Sequence, residues 1–299
     1  MTPPPTHDRM IDVRQNGIGD IVVACWIVHS AAAIGERVRL NPRNHRTVAT
    51  VLGVPDDCLT RDEAADWSQT LGIGHQFEYR QVDIAPMSRF DAWSYSLGLP
   101  GLRPVRPPYR ETPEDAAWAE EQWQKVARVE SDADAPRVLL FPDAAYSLRV
   151  WPRAYFIDLA SQLEARGFAV AAMAATQAAV DFMPCRWWSG FTLGQTAAMA
   201  ARATVVVAND SGPSHLASAV GTRTVAICGP TDPAIVFAHE PNVYGATFGR
   251  AALPCVPCHF SGARGYRHAC ESGGCQGLMR LDPSEIGRVV ERAACGFRL

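Results

Sequence analysis

The stretch TVVVANDSGPSHLASAVGTRTVAIC, residues 204–228, decides the fold class. Thr204–Ala208 is a short, unbroken apolar run rich in valine, as expected of a strand buried on both faces. Asn209 to Pro213 is a polar turn carrying glycine and proline. Ser214–Val220 reads as a helix that stops at Gly221, since glycine readily takes the left-handed conformation that ends helices. Arg223–Cys228 is a second apolar run. Strand, turn, helix and strand in direct succession make a βαβ unit, and its strands must be parallel.

The same alternation extends outward from this unit. Upstream, Arg137–Phe141 reads as a buried strand, and Pro152 opens a helix through YFIDLASQLEAR that Gly167 closes. Phe168–Met173 is the next strand. Thr192 and Gln195 have the spacing of a capping box for the helix LGQTAAMAARA. Asp282-Pro283 starts a last helix through Arg292. In the first half, Met10–Arg14 and Arg37–Leu40 read as strands, with helices over Asp20–Ile34 and Asn44–Leu52. Residues 82–112 are rich in proline and glycine without a clean period and read as ordered loops. A helix over Pro113–Glu130 and the polar run SDADAP (131–136) precede the second set of strands. The expectation is α/β with two Rossmann-like domains, residues 1–134 and 135–299.

Composition narrows the function classes. The chain has 299 residues, 47% hydrophobic and 20% charged, enough for two compact domains. A net charge of −3 gives no general attraction to nucleic acid or to an acidic membrane surface. The apolar runs, such as Ile21–Ile27, are far shorter than the roughly 20 residues of a spanning helix. The opening MTPPPTHDR has no apolar run and does not read as a signal peptide. A cytoplasmic protein that is not integral to a membrane is expected, and its nine cysteines then do not form a disulfide framework.

Three strand-end turns carry the chemistry. Gly17-Ile18-Gly19-Asp20 follows the first strand, but Val22 stands where a dinucleotide fingerprint needs its third glycine. What the turn offers is an acid, Asp20, at the carboxyl edge of a parallel sheet, where open α/β folds bind ligands; an aspartate there also suits a helix cap. Asp210, Ser211, Gly212 and His215 form a turn and helix start suited to a phosphate or diphosphate. Thr231 and Asp232 repeat that design after the next strand. Ser147 and Arg149 place a hydroxyl and a permanent cation at the same edge.

A fourth group is Cys255, Cys258, Cys270 and Cys275, spaced C-x2-C-x11-C-x4-C on a polar, glycine-rich stretch. Four thiols on such a loop suit a structural Zn or Fe ion, with His259 and His268 as substitutes for one ligand. A nucleic-acid-binding ribbon is disfavoured, because residues 250–280 hold four arginines and no lysine.

Taken in order, GIGD (17–20), FPDAAYSLRVWP (141–152) and NDSGPSHLASAVGTRTVAICGPTDP (209–233) resemble glycosyltransferase family 9, the ADP-heptose-using heptosyltransferases. The resemblance is good over residues 135–286 and thin in the first half beyond its opening strand and turn. It implies a GT-B architecture, two Rossmann-like domains facing a cleft, with an acceptor domain first and a nucleotide-sugar donor domain second. It implies inverting transfer of a sugar, ADP-heptose being the donor, to a hydroxyl on a glycan such as a lipopolysaccharide core or on a protein. Asp20 matches the family's catalytic base. Gly19, Ser147, Arg149, Asp210, Ser211, Gly212, His215, Thr231 and Asp232 match donor-binding positions, and no catalytic metal is implied. The cysteine finger, residues 253–280, is similar to an iron-binding finger of enzymes that glycosylate autotransporter adhesins. Two positions depart from the family: Trp26 where proline is usual, and Arg149 where lysine is usual, in a chain with one lysine, Lys125. A catalytically silent sugar-nucleotide-binding subunit and a GT-B-like sugar-nucleotide epimerase are the alternatives.

Overall fold

A computed structural model describes residues 9–13, 17–60, 69–73, 87–126, 135–248, 251–258, 270 and 272–296 of the protein. Its elements, in chain order, begin with β1 (Arg9–Val13), α1 (Ile18–Ala32), β2 (Val38–Asn41), α2 (Arg46–Val51), β3 (Gln69–Ile73), α3 (Arg89–Ser96) and α4 (Pro113–Gln124). The second half follows as β4 (Arg137–Phe141), α5 (Arg153–Ala165), β5 (Ala169–Ala174), β6 (Arg186–Ser189), α6 (Leu193–Ala201), β7 (Val205–Asn209) and α7 (Gly212–Ala219). It ends with β8 (Arg223–Ile227), α8 (Pro233–Val236), β9 (Val243–Ala246), α9 (Gln276–Arg280) and α10 (Pro283–Ala294).

Two parallel sheets result. The first has the order β2-β1-β3, and the second β6-β5-β4-β7-β8-β9. The six-stranded order is the doubly wound one, in which the chain starts at the centre with β4, winds outward to β6, and returns beside β4 with β7. The topological switch point therefore lies between β4 and β7, which pair Phe141 with Ala208. Ligands of open α/β sheets bind outside the carboxyl ends at such a point.

The sequence pattern produces these elements directly. Every residue of β7 is buried, which explains its uninterrupted apolar character. The capping box of Thr192 and Gln195 forms as expected at the start of α6. Gly167 and Gly221 take φ of +85° and +101° just past α5 and α7, a conformation that would strain any other residue. Pro152 caps α5 rather than occupying its first turn.

Some expectations are corrected. Residues 87–112 are not all loop, because α3 forms there. Ser88 caps it by accepting from Asp91 N at 3.1 Å, and Phe90, Trp93 and Leu97 bury its inner face. The helix expected over Pro113–Glu130 ends at Gln124, and residues 127–134, which hold most of the SDADAP run, lie outside the described set. Helix α4 packs on the second sheet: Ala119, Trp123 and Val126 share a core with Leu139, Phe141 and Met199. Trp26 is 1% exposed within α1 and touches the second domain.

The two halves meet closely. α1 packs along α7, and Leu216, Ala219 and Ala197 join the first half's core. Glycine permits the approach at both helix starts. A Cβ on Gly212 would lie 2.6 Å from Ile18 Cβ, and one on Gly19 would lie 2.7 Å from His215 Cδ2.

Candidate active site

A cavity of about 720 Å³ lies over the switch point, and both halves line it. The first half contributes Gly17, Ile18, Gly19, Asp20, His45 and Arg89. The second contributes the ends of β4, β5 and β7, including Asp143, Tyr146, Arg149, Asp210, Ser211, Gly212 and His215.

Asp20 is the third residue of α1, whose N-cap is Gly17, so it is not the cap of its helix. Its carboxylate folds back over Gly17, where a Cβ would meet Oδ2 at 2.5 Å. Oδ1 pairs with Arg89 Nη1 at 3.3 Å, and the side chain stays 25% exposed to the cleft. His45 reaches the cavity through a tight turn after β2. Arg43 sits there at φ 49°, held by a two-pronged pair with the buried Asp12 at 2.8 and 2.7 Å.

Across the cleft, Asp210 is 2% exposed, and its Oδ2 receives Thr231 Oγ1 at 2.6 Å and lies 3.4 Å from Arg149 Nη1. Burial alone pushes this carboxyl up. The charges of Arg149 and His215, the Thr231 hydroxyl and Arg89 outweigh burial and hold Asp210 below the ordinary carboxylate range. Asp210 thus fixes Arg149, whose guanidinium also lies over the Tyr146 ring, 5.6 Å from its centroid. Asn209 ties the two switch-point loops together, accepting from Trp151 N at 2.9 Å and donating to Pro142 O at 2.9 Å.

The turn into α7 is reinforced by Ser214, whose hydroxyl donates to Ser211 O at 2.6 Å and accepts from Ser211 N at 3.3 Å. Ser211 lines the cavity, while its Oγ is buried at the start of α7. Asp143, at the end of β4, is pushed above its usual range by burial, although Ala175 N donates to it at 2.9 Å.

Most sequence-derived positions converge on this cavity, and three do not. Ser147 is exposed and outside the lining. Thr231 is fully buried behind Asp210, and Asp232 caps α8 by accepting from Ala234 N. Thr231 thereby supports the turn into α7 from below. The residues that sequence reading missed are Arg89, His45, Asp143 and a buried cluster of His239 and Glu240 beneath His215.

Two of the four cysteines lie against the Gly229-Pro230 turn. Cys258 N donates to Pro230 O at 2.8 Å, and a Cβ on Gly229 would lie 2.7 Å from Cys275 Sγ. Burial raises the Cys275 thiol, the Leu278 and Gly277 amides oppose this, and Cys255 and Cys270 add to it. The soft donor set suits Zn or Fe, but Cys255 is exposed, and among the described residues no three His, Cys, Asp or Glu gather to hold an ion. Residues 259–269, with His259 and His268, lie outside the described set.

Two facing Rossmann-like units with a cavity between them make the GT-B architecture. Residues 107–260 match Glycosyltransferase family 9 (heptosyltransferase), and the chain belongs to this family. No curated protein matches it significantly by sequence. Among solved structures, it is similar to the family 9 glycosyltransferase of Veillonella parvula DSM 2008 (13% identity, 97% of both chains, TM-score 0.68). It is similar to the ADP-heptose LPS heptosyltransferase II of E. coli (13% identity, 96% of this chain and 99% of that one, TM-score 0.59). It also resembles TibC, an iron-containing dodecameric glycosyltransferase of enterotoxigenic E. coli H10407 (14% identity, 97% and 76%, TM-score 0.70), also solved with ADP-D-beta-D-heptose. Among the described residues, no helix is long and apolar enough to cross a membrane.

Proposed function

We propose that the cleft transfers a heptose from ADP-heptose, with inversion, to a hydroxyl on an acceptor glycan or protein. One observation carries this reading: two helix starts from different halves converge on one cavity, one bearing an accessible carboxylate and the other the first-turn amides of α7 beside Arg149 and His215. The diphosphate rests on the amides at the start of α7, where the helix dipole favours anions. Ser211 Oγ, Arg149 and His215 complete that side.

The acceptor enters from the side of Asp20, His45 and Arg89. As the acceptor oxygen bonds to the sugar's anomeric carbon, its proton passes to the Asp20 carboxylate. The bond from that carbon to the diphosphate breaks, and the nucleoside diphosphate leaves with the electron pair. The growing charge on the leaving oxygens is stabilised by donors already aimed at them. Arg89 fixes the orientation of Asp20 while leaving one carboxylate oxygen outside the pair. Within family 9, ADP-heptose is supported by the ADP-heptose named for two structural relatives at comparable topology.

The test is incubation with ADP-heptose, with and without a truncated lipopolysaccharide core or a serine-rich adhesin fragment, measuring ADP release and product mass. Acceptor-dependent ADP release lost in Asp20→Asn is expected. Tight binding without release would make the chain a binding subunit. Donor converted to an isomer without acceptor would make it an epimerase.

A further inference from the structure

Beneath the cavity lies a buried cluster with an unusual balance of charge. Glu240 has no exposed side-chain surface, and its Oε1 is 2.5 Å from His215 Nδ1 and 3.3 Å from His239 Nε2. Tight turns fix its backbone, Glu240 N donating to Phe237 O at 2.8 Å and Val243 N to Glu240 O at 3.1 Å. A buried carboxylate is costly unless a cation balances it.

His239 is poorly placed to supply that cation. It stacks on Phe90 at 5.3 Å and meets Trp26 edge-on at 5.4 Å, both from the first half. Its approach to Glu240 lacks hydrogen-bond geometry, and neither ring nitrogen has a hydrogen-bond partner among the described residues. Burial pushes it down to about 4, against the pull of Glu240, so the ring is neutral. The hydrogen bond to Glu240 comes instead from His215. It stacks on Phe237 at 4.4 Å, and its edge with Cδ2 and Nε2 abuts Gly19 at the cavity.

We propose that Glu240 is a positioning residue: it holds the Nδ1 proton of His215, so that Nε2–H is presented at the start of α1 as a fixed donor to the departing diphosphate. The role of the diphosphate rests on the donor reading given above; the pairing itself does not. A carboxylate that accepts from one ring nitrogen fixes the orientation of an imidazole and favours a proton there. Trp26 and Phe90 seal the pair from water on the side of the first half.

The other charged groups around the ring are Asp210 with Arg149 at the end of β7, and Arg89 with its partner Asp20 from the first half. Asp91 acts on His239 from α3. The experiment therefore changes Glu240 alone. Long-range ¹H–¹⁵N spectra of the full chain at neutral pH, with His215 assigned by its loss in His215→Asn, report which ring nitrogens carry protons. Nδ1 should be protonated and hydrogen-bonded in the wild type, and Glu240→Gln should change the Nδ1 signal. The same variant should weaken ADP binding about tenfold while leaving adenosine binding unchanged, and Glu240→Asp should fall between.

An unprotonated Nδ1 at neutral pH, or an Nδ1 signal unmoved by Glu240→Gln, would overturn the proposal. Equal weakening of ADP and adenosine would do so too, since a merely loosened fold has that effect. Absence of ADP binding to the wild type would instead sink the donor reading, with the spectra still deciding the pair.

Discussion

Arg89 Nη1 stands 3.3 Å from Asp20 Oδ1, joining the first turns of two helices 69 residues apart. The pair holds the carboxylate in one orientation toward the cleft without burying it. Orientation is what Arg89 contributes. Asp20→Asn keeps the size of the side chain but cannot accept a proton. Turnover should fall by about 10²–10⁴-fold with ADP affinity nearly intact. Arg89→Ala should lower turnover less. An Asp20→Asn enzyme with most of its activity would reduce Asp20 to a helix-start acid.

Asp210 is expected to act through Arg149 rather than on the ligand. Its carboxylate already receives Thr231 and faces Arg149, so Asp210→Asn leaves the guanidinium with a weaker anchor. Removing one member of a buried pair costs about 3 kcal/mol. Both the urea midpoint and ADP affinity should drop, whereas Thr231→Val should lower stability with a smaller effect on ADP. If Asp210→Asn binds ADP as the wild type does, Arg149 is held by other contacts.

A third expectation is a stability change in mild acid. The unfolded chain binds a proton at His239 near the usual imidazole value, while the folded chain resists it until about 4. Between those values the unfolded state holds more protons, so stability falls as pH falls. From neutral pH to about pH 4.5, His239 alone should account for roughly 2–3 kcal/mol. Urea titrations at the two pH values should show this loss shrink by that amount in His239→Leu. An unchanged loss would place the acid sensitivity elsewhere.

The sequence made the parallel cores legible because strands buried on both faces, such as β7, must be apolar throughout and are bounded by glycine and proline. Asp20, Asp210 and His215 were legible as residues of strand-end turns, since glycine and a helix start mark the carboxyl edge of a parallel sheet. Arg89 was hidden by the density of proline and glycine around it, although Ser88 with Phe90, Trp93 and Leu97 carried the helix signal. The short strands β6 and β9 lie at the edges of the second sheet and lack the unbroken apolar run of its centre. His239 and Glu240 had no local signature at all. Their burial comes from packing against Trp26, Phe90 and His215, which are distant in the chain.

The cysteine finger yields the last prediction. Cys255 and Cys270 already influence the charge on Cys275, and Cys275 and Cys258 rest on the Gly229-Pro230 turn. One Zn or Fe ion per chain should draw the four thiols into a tetrahedral site without an open position for substrate. Such binding energy is largely folding energy for the loop. Cys275→Ser should therefore remove the ion and loosen the 229–232 turn beneath Asp210, lowering ADP affinity more than turnover at saturation. Elemental analysis of purified protein, paired with thiol titration, checks the first part. Less than stoichiometric metal with all four thiols reactive in the folded chain would exclude the site. Stoichiometric metal with unchanged ADP affinity in Cys275→Ser would instead uncouple the finger from the donor loop, leaving its surface available to the acceptor.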